Sequence, residues 1–249
     1  MSDIAVDHLD AAPGRRLAFR HRPGRGPTIV FLPGYMSDME GGKASALDAW
    51  AAGAGRAFLR FDYAGCGMSS GAFEAQGLDG WRDDVLAMID RVAAPGPVVL
   101  VGSSMGGWLM LLAALARPER VAGLVGIAAA PDFTRWGFSD ADKARLRDEG
   151  RIAEPSPYGD QPYVTTRLFW ESGERLRLLD GPIDLRCPVR LLHGQADPDV
   201  PWRLSLDLMD RLRSADVQAL LIKDGDHRLS RDPDIALLVA TVNALMERL

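Results

Sequence analysis

Val98-Val99-Leu100-Val101-Gly102-Ser103-Ser104-Met105-Gly106-Gly107-Trp108-Leu109-Met110-Leu111 reads as a buried strand, a very tight turn and the opening turns of a helix. The apolar, β-favouring run before Gly102 is what a strand covered on both faces requires. At its end stands Gly-x-Ser-x-Gly. A strand-to-helix junction this sharp leaves no room for side chains two residues before and two after the central serine, and Gly102 and Gly106 meet that demand. Ser104 is then expected above the sheet edge at a helix N-terminus, where backbone N–H groups face developing negative charge. The bare spacing also occurs by chance in Gly/Ser-rich loops; the strand, the helix and the extra Gly107 in register are what make it informative.

Outward from this junction the same rhythm continues. Apolar runs at 28–32, 57–61, 121–127, 189–192 and 217–222 read as further strands, and 16–21 alternates loosely before a turn at 23–27. Helical patterns occupy 43–52, 81–93, 105–116, 202–213 and 235–249. Alternation of this kind specifies a mostly parallel sheet with helices on both faces. From 131 to 182 the rhythm breaks, and Phe133, Trp136, Phe138, Tyr158, Tyr163, Phe169 and Trp170 are scattered among charges. So long a structureless loop is foreign to a small domain. The stretch is expected to be an inserted cap of short helices, dividing the core into 1–130 and 183–249, its rings either lining a pocket or packing against the cap and sheet.

A serine hydroxyl needs a base to become a nucleophile, and that base is usually a histidine held by a carboxylate. There are four histidines. His8 and His21 precede the sheet core, and His193 ends a strand, where it is expected to shape the following turn. His227, in a polar loop between the last strand and last helix, holds the base position in the order Ser…Asp…His. The loop after His193 offers Asp197 and Asp199; Asp197 is favoured as the acid, and Asp199 is read as helix-capping or solvated. For the oxyanion, the backbone N–H of Met105 follows the nucleophile, and Gly34 lets the chain turn so that the N–H of Tyr35 faces inward. The Gly-rich 61–69 loop lacks the lysine of a phosphate-binding loop and reads as a crossover, with Cys66 a small packed residue.

Composition sets the outer bounds. The 249 residues are 47% hydrophobic and 25% charged, ordinary for a globular chain of one domain or two small ones. A net charge of −5 disfavours nucleic acid as a partner. Two cysteines fit a reducing compartment and supply no zinc-site spacing. No apolar run reaches the roughly 20 residues of a bilayer span. Asp3, Asp7 and Asp10 argue against a secretory signal or a mitochondrial transit peptide, so a cytoplasmic location is expected.

Taken together, Leu32-Pro33-Gly34-Tyr35, Phe61-Asp62-Tyr63, Gly102 to Gly107, His193-Gly194 with Asp197 and Val200-Pro201, and Asp226-His227 resemble, in order, the α/β-hydrolase superfamily. The stretches 34–39, 60–63, 102–111, 187–194 and 226–228 are more narrowly similar to its palmitoyl-protein thioesterase and acyl-glucuronide esterase branch. The resemblance implies an α/β-hydrolase fold and a serine hydrolase of acyl thioesters or carboxylic esters. Its catalytic residues would be Ser104, Asp197 and His227, with Tyr35 and Met105 as oxyanion donors. Its partner would be an acylated or small-molecule substrate, and no cofactor or metal is called for. A haloalkane dehalogenase is excluded because serine, not aspartate, stands at 104. The competing readings are a short-chain carboxylesterase and a non-catalytic receptor or scaffold on the same fold.

Overall fold

The apolar runs condense into one twisted sheet in the computed structural model, which describes residues 4–93, 95–155 and 162–249. In chain order the elements are β1 (Asp7–Ala12), β2 (Arg15–Arg22), β3 (Arg25–Leu32), α1 (Gly42–Ala54), β4 (Arg56–Phe61), α2 (Leu78–Arg91), β5 (Val98–Ser103), α3 (Met105–Ala116) and β6 (Val121–Ile127). Then follow α4 (Phe133–Trp136), α5 (Asp140–Glu149), β7 (Arg151–Glu154), β8 (Tyr163–Thr166) and α6 (Arg167–Arg175). The chain closes with β9 (Val189–Gly194), α7 (Arg203–Arg211), β10 (Val217–Ile222) and α8 (Asp232–Met246). The main sheet runs β1-β2-β4-β3-β5-β6-β9-β10, parallel from β4 onward, with β1 and β2 antiparallel at one edge.

Side-chain alternation divides this sheet between two cores. Val30, Leu32, Val98 and Leu100 face one layer with Trp81 and Val85 of α2, Leu109 and Met110 of α3 and Leu208 of α7. Ile29, Phe31, Val99 and Val101 face the other, with Ala44 and Leu47 of α1 and Leu238, Val242 and Leu245 of α8. All six residues of β5 are buried, which is why that strand reads as a continuous apolar run. No helix among the described residues is long and apolar enough to cross a membrane.

Two departures from the sequence reading lie at the sheet's antiparallel edge. β1 is foreshadowed by no apolar run, because only Leu9 and Ala11 of Asp-His-Leu-Asp-Ala-Ala turn toward the core. The turn expected over 23–27 is shorter, since β3 begins at Arg25, paired with Arg56.

Between β6 and β9 the chain leaves the sheet. Here α4, α5 and α6 accompany the antiparallel pair β7–β8. Ser139 and Asp142 form a reciprocal capping box at α5, and the Thr166 hydroxyl accepts from the Phe169 N–H at α6. The two ends of the excursion are clasped by one side chain. Asp132, 1% exposed, accepts at Oδ1 from the Leu178 N–H and at Oδ2 from the Leu179 N–H, each at 2.8 Å.

The junction of β5 and α3 is closed by missing side chains. A Cβ on Gly102 would lie 2.3 Å from the Gly106 carbonyl oxygen, and one on Gly106 would lie 2.1 Å from that of Leu32. Backbone cannot yield as a flexible side chain can. Gly106→Ala is therefore expected to cost about 3 kcal/mol or more in urea unfolding. Gly53→Ala, in α1 with nothing within 4 Å of the added methyl, should instead raise stability by about 0.5 kcal/mol.

Candidate active site

Ser104 occupies the position before α3 with φ 54° and ψ −119°, a conformation non-glycine residues adopt only when surrounding structure enforces it. The enforcement is backbone bonding. The Ser104 N–H donates to the Ile127 carbonyl at 2.9 Å, and the Ser104 carbonyl accepts from the Gly107 and Ala130 amides. The hydroxyl is thereby presented at the C-terminal end of the parallel strands.

His227 and Asp197 arrive there on the loops after β10 and β9. Those loops touch closely: a Cβ on Gly194 would sit 2.1 Å from the Gly225 carbonyl oxygen, and the Ala196 N–H donates to that same oxygen at 3.0 Å. His227 Nε2 lies 3.1 Å from Ser104 Oγ, across 123 positions of sequence, and its Nδ1 lies 2.8 Å from Asp197 Oδ2. The carboxylate can only accept, so Nδ1 carries the hydrogen and Nε2 presents a lone pair to the serine. The structure thus brings Ser104, His227 and Asp197 together, and it keeps His8 and His21 on β1 and β2 at the far edge of the sheet.

Asp197 is wired on both oxygens. Oδ1 accepts from the Asp199 and Val200 N–H groups, each at 2.8 Å. Oδ2 faces His227 and also Nε2 of the fully buried His193, 3.2 Å away. Burial works against the charge of Asp197, but donors from His193, His227 and the Val200 amide overcome it and hold the carboxyl well below the usual carboxylate range. His193 therefore does more than shape its turn. The clue in the sequence was an imidazole at the end of an apolar strand, four residues before the acid. Asp199 is exposed, and Trp202, not Asp199, takes the N-cap position of α7.

Beside Ser104, the 33–35 loop packs on the elbow, and a Cβ at Gly34 would lie 3.4 Å from Ser104 Cβ. The Tyr63 hydroxyl braces this loop by donating to the Pro33 carbonyl at 3.1 Å. No acceptor for the Tyr35 amide lies among the described residues, and Met105, first in α3, has none within its helix. The Tyr35 ring turns away into a cluster with Phe73, Trp81, Phe133, Tyr163 and Phe169, and its hydroxyl donates to the Val164 carbonyl at 2.7 Å.

A cavity of about 320 Å³ opens beside Ser104 and His227, walled by Tyr35, Met36, Ser37, Lys43, Tyr163 and Arg228 among others. None of Phe133, Trp136, Phe138, Phe169 and Trp170 lines it. Phe169 and Trp170 are buried, Trp136 packs with Val200 and Leu204, and Phe138 packs with Trp170 and Leu146. A small excursion needs those rings to build its own core against the sheet, so they are spent on packing. Tyr158 lies outside the described residues. Lys43, not anticipated from the sequence, donates from Nζ to the Arg228 carbonyl, with Asp226 and Asp234 near enough to favour its charge. Burial, with Arg228 adding to it, pushes its pKa down to about 8.

Other reactive groups are accounted for. The Cys66 thiol is pushed up to about 12 by burial and then by the carboxylates of Asp62 and Asp84, as expected of a packed residue. Asp197, Asp199 and His227 have donor atoms within 4.8 Å of one another. However, both Asp197 oxygens and His227 Nδ1 are already engaged in hydrogen bonds, which leaves no converging set of lone pairs for a metal.

Comparison with known proteins places the chain among hydrolases. Residues 26–150 match the family described as serine aminopeptidase, S33. Mouse palmitoyl-protein thioesterase ABHD10, mitochondrial, is 44% identical over 98% of the chain and 84% of its own length. The structure of mouse alpha/beta hydrolase domain-containing protein 10 superposes with a TM-score of 0.91 at 41% identity, covering 98% of this chain and 99% of that one. A putative hydrolase from Agrobacterium vitis S4 gives a TM-score of 0.92 at 39% identity, covering 98% and 100%.

Two neighbouring carboxylates allow a direct test of the acid. Asp197→Asn, which would turn His227 to the wrong tautomer, is expected to lower kcat by about 10⁴-fold in ester hydrolysis. Asp199→Asn removes a charge but no bond to the imidazole, and should change kcat only a few-fold. Equal losses from both would reassign the acid.

Proposed function

The chain belongs to the α/β-hydrolase superfamily and is a hydrolase, and on that footing we propose that it cleaves acyl thioesters and carboxylic esters through a Ser104–His227–Asp197 triad and an acyl-enzyme intermediate. The observation that carries this reading is the bridging imidazole, 3.1 Å from Ser104 Oγ and 2.8 Å from Asp197 Oδ2. Ser104 Oγ attacks the carbonyl carbon while His227 Nε2 takes its proton. Asp197 stabilises the imidazolium, and the N–H groups of Tyr35 and Met105 hold the tetrahedral oxyanion. His227 then protonates the departing thiol or alcohol. A water, deprotonated by the same imidazole, attacks the acyl-serine and releases the acid.

The name of the mouse relative supports a long acyl chain; the cavity supports a different emphasis. Its walls carry Ser37, Lys43 and Arg228, and of the rings in the 131–182 segment, which we read as a cap over the site, Tyr163 alone among the described residues. A half-buried ammonium in the cavity wall suits an ester whose acyl or leaving group bears a carboxylate, as an acyl-glucuronide does. A cytoplasmic location belongs to the same proposal, to be checked by fractionation because the named relatives are mitochondrial.

A fluorophosphonate probe should label the wild type and not Ser104→Ala; labelling of neither would favour a receptor or scaffold. Across acyl thioesters from acetyl to palmitoyl, kcat/KM should peak at short or medium chains. A steady rise of up to about fourfold per methylene through palmitoyl would show a deep apolar pocket instead. The pH profile has two parts. Activity on neutral esters should not fall above about pH 8, because Lys43 takes no part in binding them. Activity on a carboxylate-bearing ester should fall above about pH 8, where Lys43 loses its charge. Lys43→Met should raise KM for that ester by about tenfold, one ion pair's worth, and leave neutral esters nearly unchanged.

A further inference from the structure

His193 ends β9, is fully buried, and does not touch Ser104 or the cavity wall. Its ring nevertheless reaches three groups that decide where Asp197 sits. Nδ1 lies 2.7 Å from Ser205 Oγ on α7, while Nε2 lies 3.1 Å from the Val200 carbonyl and 3.2 Å from Asp197 Oδ2. A carbonyl and a carboxylate can only accept, so Nε2 carries the hydrogen and is shared between them. Nδ1 then accepts from the Ser205 hydroxyl, itself on a residue 2% exposed. The result is an imidazole clamped between a helix and the acid.

Resting on the triad reading above, we infer that His193 is a positioning residue for the reaction: a second imidazole on Asp197 Oδ2 that fixes the tilt of the carboxylate and draws off part of its charge. The Asp199 and Val200 amides hold Oδ1 alone, and about that anchor the other oxygen is free to swing. The Ser205–His193 arm stops it where His227 Nδ1 meets it at 2.8 Å. Donation by His193 also makes Asp197 less basic, so the proton on His227 Nδ1 stays on the ring during the transfer from Ser104. Val200 binds the same unit from both sides, its N–H on Asp197 Oδ1 and its carbonyl on His193 Nε2.

A structural role alone would be to satisfy buried polar atoms and hold the 195–202 loop, so the test must separate the two. His193→Met keeps volume and removes the donor, His193→Gln returns an amide N–H near the position of Nε2, and Ser205→Ala frees the ring to rotate. Each is assayed on a neutral ester, with kcat, KM, pH profile and melting temperature, alongside Ser104→Ala. Around His227 the charged and titratable groups are Asp197 and Asp199 from one loop, Asp226 and Arg228 beside it, Lys43 from α1 and Tyr163 from β8. Only the contact to Asp197 changes in these variants.

His193→Met is expected to lower kcat by about tenfold or more with KM within about twofold. Its acidic limb should move to higher pH, because a less shared carboxylate binds the imidazolium more strongly. His193→Gln should recover most of kcat, and Ser205→Ala should fall between. A folded His193→Met with wild-type kcat and an unmoved acidic limb would overturn the inference. So would a His193→Gln no better than Met at equal melting temperature. Should His193→Met fail to fold, Ser205→Ala decides: wild-type kcat and an unmoved limb there would overturn it. An active Ser104→Ala would remove the triad reading itself and this inference with it, whereas an inactive Ser104→Ala beside an unaffected His193→Met removes the inference alone.

Discussion

At the C-terminal end of the parallel strands, backbone meets backbone at distances no side chain could share. Gly106 lies against the Leu32 carbonyl, Gly102 against Gly106, and Gly194 against Gly225, and in each a Cβ would come within about 2.3 Å of a carbonyl oxygen. These contacts join the ends of β3, β5, β9 and β10 into one floor. On that floor, loops separated by up to 123 residues place a hydroxyl, an imidazole and a carboxylate within hydrogen-bonding distance. Steric exclusion, more than attraction, sets the register. The strained Ser104 backbone persists because its amide and carbonyl are both bound to neighbouring strand ends.

Electrostatics then act on a geometry already settled. A carboxylate withdrawn from water tends to protonate, and for Asp197 burial is indeed the largest influence. Four N–H groups reverse that outcome, two from the backbone and two from imidazoles. The balance differs at Lys43, where burial and Arg228 outweigh the pull of Asp226 and Asp234 and the ammonium weakens. The same cavity therefore sits between a firmly charged acid below and a weakened ammonium at its wall.

Much of this was legible in the chain because steric demands leave residue-level traces. Gly102, Gly106 and Gly107 around Ser104, and an aspartate and a histidine in loops after successive strands, could be placed by type and order alone. The sheet was legible wherever strands are buried on both faces. β1 was not, since a half-exposed edge strand with two inward apolar residues has no distinctive pattern. Packing direction was also hidden: nothing in the sequence says whether Phe169 or Trp170 turns toward a substrate or into its own layer. His193 was read only as a turn residue, because its importance comes from Ser205 and Val200, which approach it from the other side of a loop.

The clasp made by Asp132 has an evolutionary corollary. One carboxylate closes the 133–177 segment at its base, on the Leu178 and Leu179 amides, and so relieves the sheet of any part in holding the segment's ends together. Described stretches beyond the clasp that make no contact with the core can lengthen or shorten while β6 and β9 keep their register, since the entropy of closing a loop grows only slowly with its length. The segment behaves as a cassette with its own fastener. Lineages sharing this floor can diversify what they accept by trading that cassette, without reopening the machinery beneath it.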